Sequence, residues 1–147
     1  METIVVGYND SDASKAARRW AIHYTKGREV QVLMVYVMSS VADWELAAIQ
    51  VNTDPVRDEA RQRLLGEWTQ PLRDTDVPHQ VEVVEGRPAD MLMDYARRAR
   101  ASLLVVGMGS RGTLAELFFG STAHHLLHHA LRPVVAVPPD WTESGPD

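Results

Sequence analysis

The sequence predicts a doubly wound α/β fold, a single sheet of five mainly parallel strands with four helices. Three observations carry that expectation. Short apolar runs rich in β-branched residues lack polar alternation, as in strands covered on both faces. Segments with the three-and-four spacing of an amphipathic helix lie between them. The stretch Ala101 to Pro139 then joins an apolar run, a glycine-rich loop, a helix and a second apolar run, the layout of a βαβ unit.

Taken in order, Thr3 to Gly7 reads as the first strand, and Asp10 or Ser11 is placed to cap the helix that follows. Ala13, Ala16, Ala17, Trp20, Ala21 and Tyr24 fall on one face of that helix. Val30 to Val37 is the second strand. Met38 to Thr53 has no clear period and is expected to be a loop or short helix near the ligand crevice. Asp54 and Pro55 open a second helix whose inward positions are Val56, Ala60, Leu64 and Trp68, until Pro71 stops or kinks it. Gln80 to Glu85 is the third strand. Arg87 to Arg100 is the third helix, with Pro88 at its start and Leu92, Tyr95, Ala96 and Ala99 inward. Leu103 to Val106 is the fourth strand, Ser121 to Ala130 the fourth helix with Ala123, Leu126, Leu127 and Ala130 inward, and Pro133 to Val137 the last strand. Residues 1–139 are expected to form the domain and 140–147 a flexible polar tail.

Composition narrows the function. A net charge of −5 with only two lysines, Lys15 and Lys26, argues against a nucleic-acid binder, which needs clustered cations. The cluster Arg97, Arg98 and Arg100 reads as a solvated helix end. The chain has no cysteine, so disulfides, thiolate metal sites and cysteine nucleophiles are excluded together. No run is long and apolar enough to span a bilayer, and the first residues lack a signal-peptide pattern, so a cytoplasmic location is expected.

The chemistry-bearing motif is the glycine loop. Gly107, Gly109 and Gly112 let backbone N–H groups approach an anion, and Gly120, Ser121 and Thr122 stand where a helix N-terminus aims more N–H groups at it. A phosphate ester is the ligand class this pattern suits. The same glycines spell the G-x-G-x-x-G of dinucleotide-binding enzymes, but no acidic residue ends the following strand to hold a ribose. A Walker-type loop is excluded because no lysine follows Lys26. His124 with His128 and His125 with His129 have the i, i+4 spacing that chelates zinc; the plainer reading is a solvated face near a helix C-terminus, and no metal is expected.

The run from Gly120 and Ser121 through HHALRPVVAVP, EGRPAD at Glu85 to Asp90, and RWA at Arg19 to Ala21 together resemble the universal stress protein family along nearly the whole chain. The resemblance implies the Rossmann-like fold of adenine-nucleotide alpha-hydrolases with strand order 3-2-1-4-5. It implies a regulatory, stress-response protein that binds ATP or a related adenine nucleotide, with Mg2+ on the phosphates. The implied contacts are Gly7, Tyr8 and Asn9 after the first strand, Val37 against the adenine, and Gly107, Gly109, Ser110, Arg111, Gly112, Gly120, Ser121 and Thr122 around the phosphates. No catalytic group stands out, so a binding protein rather than an enzyme is expected, with a slow ATPase and a nucleotide-free dimeric module as alternatives. A homodimer through Val134 to Val137 and an unidentified protein partner complete the expectation.

Two departures from the family pattern stand out. Asn9 occupies the place of an aspartate that faces the adenosine, and Asp10 that of a glycine. The family's loop runs Gly, two residues, Gly, nine residues, Gly. Counting from Gly107 puts Ser110 at the second glycine, whereas counting from Gly109 and Gly112 leaves seven residues before Gly120.

Overall fold

The structure, a computed structural model, describes residues 1–38, 54–109 and 121–145. The strands are β1 (Glu2–Gly7), β2 (Val30–Met38), β3 (His79–Glu85), β4 (Leu103–Gly107) and β5 (Val134–Val137). The helices are α1 (Asp12–Thr25), α2 (Asp54–Leu65), α3 (Pro88–Arg98) and α4 (Ser121–His129). All described strand pairs are parallel, in the order β3-β2-β1-β4-β5, as the sequence predicts.

The uninterrupted apolar runs have a direct cause. Ile4 and Val6 point into one core with Ala17, Ala21, Leu64 and Trp68, beneath α1 and α2. Val5 points the other way, into a second core with Leu92, Ala96, Ala123 and Leu126, beneath α3 and α4. Each strand of the sheet's centre is therefore covered on both faces and tolerates no polar alternation.

Helix ends follow their local chemistry. Ser11 caps α1, its hydroxyl accepting from the Ser14 N–H at 3.1 Å, while the Ser14 hydroxyl donates to the Ser11 carbonyl at 3.0 Å. α3 ends in a Schellman turn: Ala101 N–H donates to Ala96 O and Arg100 N–H to Arg97 O, with Arg100 itself left-handed at φ 52°. Arg97 and Arg98 turn back to Asp94, so this basic group is spent within its own helix.

Several expectations change. The second helix breaks at Gly66, five residues before Pro71, and continues as a 3-10 turn, Glu67–Thr69, and a further helical turn, Gln70–Asp74. Gly66 sits at φ −97°, ψ −109°, outside the helical region, and the Arg73 guanidinium gathers the carbonyls of Leu65 and Gly66 that the break leaves open. Ala60, Leu64 and Trp68 are buried as expected, while the Val56 side chain and Trp44 lie outside the described residues. So does most of the aperiodic segment, residues 39–53. Leu127 is 48% exposed, because α4 buries only the side carrying Ala123 and Leu126. The tail expected to be loose makes defined contacts with α1. Arg19 donates to the carbonyls of Pro139 and Trp141, and Lys26 and His23 both meet Glu143.

Candidate functional site

In a doubly wound sheet the ligand crevice opens outside the strand C-termini, where the chain's winding direction reverses. Here the reversal falls between β1 and β4: α1 carries the chain from β1 to β2 on one side, and α3 carries it from β3 to β4 on the other. A cleft of about 770 Å³ opens at that point. Small-molecule sites typically measure about 300–1,000 Å³.

Its walls are built from segments that leave the strands. Gly7 ends β1 and Asn9 follows it, Val35 and Val37 line the cleft from β2, and Met108 and Gly109 follow β4. Ser121 and Thr122 bring the first turn of α4, Asp12 to Ser14 the first turn of α1, and Pro88 and Leu92 the start of α3. Pro139 and Asp140 approach from beyond β5. The lining thus combines apolar side chains, Val35, Val37 and Leu92, with a helix N-terminus that carries two hydroxyls. A flat base suits the first and a phosphate the second.

Most residues predicted for the site meet at this cleft, but they do so in different ways. Tyr8 borders it yet sends its side chain into the core below. The ring is 3% exposed, lies 5.4 Å from the Trp68 ring, and its hydroxyl donates to Asp10 and accepts from Arg18. Burial pushes the Tyr8 phenol up to about 12, against the opposing pull of the Arg18 cation. Asn9 is committed to the turn into α1: its Oδ1 accepts from the Ser11 N–H at 3.2 Å and from the Ser11 hydroxyl, and its own N–H donates to Ser14 Oγ. Gly107 lies against α1, where any side chain would collide with Ala13. Ser110, Arg111, Gly112 and Gly120 lie outside the described residues.

The sequence reading missed Asp12, Ser14, Pro88, Leu92 and Asp140 as wall residues. The signal was available: every chain segment leaving a strand C-terminus at a winding reversal contributes to the crevice, and helix starts lie there by topology. Full charges on the described lining belong to Asp12 and Asp140, both acidic. An anionic ligand would therefore rely on peptide N–H groups at the start of α4, on hydroxyls, or on a cation it brings with it. Among the described residues no three of His, Cys, Asp or Glu group to hold a metal, and no helix is long and apolar enough to cross a membrane.

Comparison with known proteins adds to this geometry. The model of the Universal stress protein family matches residues 1–138. A universal stress protein of Mycolicibacterium smegmatis is 30% identical over 138 residues, covering 92% of this chain and 97% of its own length. The universal stress protein of Archaeoglobus fulgidus, solved in complex with dAMP, superimposes with a TM-score of 0.68 at 22% identity, over 93% of this chain and 98% of that one. A family protein from Arabidopsis thaliana, solved with AMP bound, gives a TM-score of 0.65 at 19% identity, over 94% and 92% of the two chains.

Proposed function

Because the chain belongs to the universal stress protein family, we propose that it is a regulatory protein binding an adenine nucleotide in the cleft between β1 and β4. The observation that carries this reading is the cleft itself, of nucleotide size, apolar at Val35 and Val37 and edged by the N-terminus of α4. The adenine lies against Val37, and the phosphates meet the backbone at Gly109 and the N–H and hydroxyl groups of Ser121 and Thr122. The dAMP and AMP held by the Archaeoglobus and Arabidopsis proteins support the choice of an adenine ligand.

ATP with Mg2+ fits the same donor set. Mg2+ takes oxygen ligands from phosphates and one or two carboxylates, and Asp12 is a carboxylate on the cleft wall. Arg111, between β4 and α4 in the sequence, would add positive charge at the phosphates. The protein acts in the cytoplasm through conformation and partner choice rather than turnover. A second copy pairs at the sheet edge along β5, whose Val134, Val135 and Ala136 are only partly covered.

The test is nucleotide release from denatured protein followed by calorimetric titration of the refolded chain with AMP and with ATP plus Mg2+. Ser121→Ala with Thr122→Ala should weaken binding at least about tenfold, since a hydrogen bond to a charged group contributes about 1.5–3 kcal/mol. Unchanged affinity in that variant would move the phosphate site elsewhere. Absence of binding at millimolar nucleotide would leave the dimeric interaction module.

A further inference from the structure

The exposed face of α4 carries chemistry that nucleotide binding does not use. His124 and His128 face each other with ring centroids 4.6 Å apart, and His125 and His129 do so at 4.5 Å. All four residues are exposed. Among the described residues, His124, His128 and His129 take part in no hydrogen bond or ion pair, and His125 meets only Asp90, at 3.6 Å. The helix is held by Ala123 and Leu126 on its other side, so the histidines contribute nothing to its burial.

We propose that this face is a binding site for a borderline divalent transition metal, Zn2+, Ni2+ or Cu2+, chelated by the i, i+4 imidazole pairs. Imidazole nitrogen is a preferred ligand for these ions, whereas Mg2+ and Ca2+ take oxygen. The i, i+4 spacing sets the two rings of each pair side by side on one exposed helical face. Turning these solvent-exposed side chains, without moving the backbone, directs one nitrogen of each ring to a shared ion. Once one imidazole has bound, the second binds within the same molecule at high effective concentration, which is why a pair outperforms four scattered histidines.

The coordination stays open. No third His, Cys, Asp or Glu among the described residues joins either pair, so water completes the shell, and the ion exchanges rather than holding the fold together. The Asp90 carboxylate beside His125 places a negative charge next to one pair, a setting that strengthens metal-bound imidazole.

The experiment is titration of the full chain with ZnCl2 and with NiCl2 alone, at neutral pH, followed by calorimetry and by thermal melting. Saturable binding at micromolar metal is expected, together with a rise in melting temperature that Mg2+ does not produce. Replacing one member of each pair (His124→Ala with His125→Ala) leaves no pair intact and should weaken Zn2+ binding at least about tenfold, while circular dichroism and nucleotide affinity stay as in the wild type. Removing the other member of each pair, His128→Ala with His129→Ala, should weaken binding to the same degree, whereas His124→Ala with His128→Ala, which leaves the pair His125 and His129, should retain it. No saturable binding at micromolar metal, or undiminished binding in the variants that leave no pair, would overturn the proposal.

Discussion

Gly107→Ala is the sharpest probe of how the site is built. A Cβ added at Gly107 would lie 2.4 Å from the carbonyl carbon of Ala13, 2.5 Å from its Cβ and 2.6 Å from its carbonyl oxygen. The carbonyl carbon and oxygen are backbone atoms in the first turn of α1, which the Ser11 cap holds in place, and the Ala13 Cβ has no rotamer of its own, so no rotamer change relieves the collision. Overpacking of this kind costs about 1–3 kcal/mol or more, and the roughly 0.5–1 kcal/mol gained by restricting the unfolded chain offsets only part. A net loss of about 0.5–2.5 kcal/mol should lower the melting temperature by roughly 2–8 °C. Gly7→Ala is the comparison: its Cβ would meet the Leu92 Cδ1 at 2.9 Å and the Val106 Cγ1 at 3.2 Å, side-chain ends rather than backbone. Its cost should be smaller than that of Gly107→Ala. Urea unfolding of both variants decides the matter. Equal stability of the Gly107 variant and the wild type, or a greater loss at Gly7, would refute the idea that close helix–strand contact demands glycine at 107.

Two further outcomes follow from the segment after β1. Asp10 is left-handed at φ 63°, a conformation that costs a side chain about 1–2 kcal/mol and glycine nothing; Asp10→Gly should therefore unfold at higher urea than Asp10→Ala by about 1 kcal/mol, since both lose the same carboxylate. Tyr8 ionises in the folded protein at about 12 against 10.0 for the free side chain. The unfolded chain thus releases this proton first, so the stabilisation is complete below pH 10 and is lost as pH rises through about 12. Tyr8→Phe should flatten the decline in stability between pH 10 and 12. Burial and the Glu2 carboxylate raise Tyr24 as well, so some slope remains; an unaltered slope would mean Tyr8 titrates as it does in water.

The fold was legible because its signals are local and agree with one another. β-branched runs such as Ile4 to Val6 marked strands and Ala13 to Ala21 a helix face, Pro88 marked a helix start, and of the two cap candidates, Asp10 and Ser11, the structure uses Ser11. The break at Gly66 was missed because glycine within a helical period is often tolerated, and what decided it was the Arg73 guanidinium collecting the freed carbonyls from seven and eight residues away. Leu127 was misplaced because a short helix at the end of the sheet has only a narrow buried face. The wall residues Asp12, Ser14 and Leu92 depend on which strand ends meet, a fact of topology that no local period encodes.

The two departures from the family's pattern look different once their surroundings are known. Gly107 and Gly109 both border the cleft, but a side chain at Gly107 would run into Ala13 rather than into the ligand space. Helix packing therefore accounts for the glycine at 107, which leaves Gly109 and Gly112 as the count that does not rest on a packing glycine. On that count the departure is length: seven residues separate Gly112 from Gly120 instead of nine. Asn9 reads in the same way. Its Oδ1 is occupied by the Ser11 N–H and hydroxyl, a task that an aspartate carboxylate could perform equally well. Asparagine keeps the turn while removing a negative charge from a cleft whose described lining already holds Asp12 and Asp140. Loss of that charge suits an anionic ligand, so Asn9 does not argue against the nucleotide proposed for the cleft.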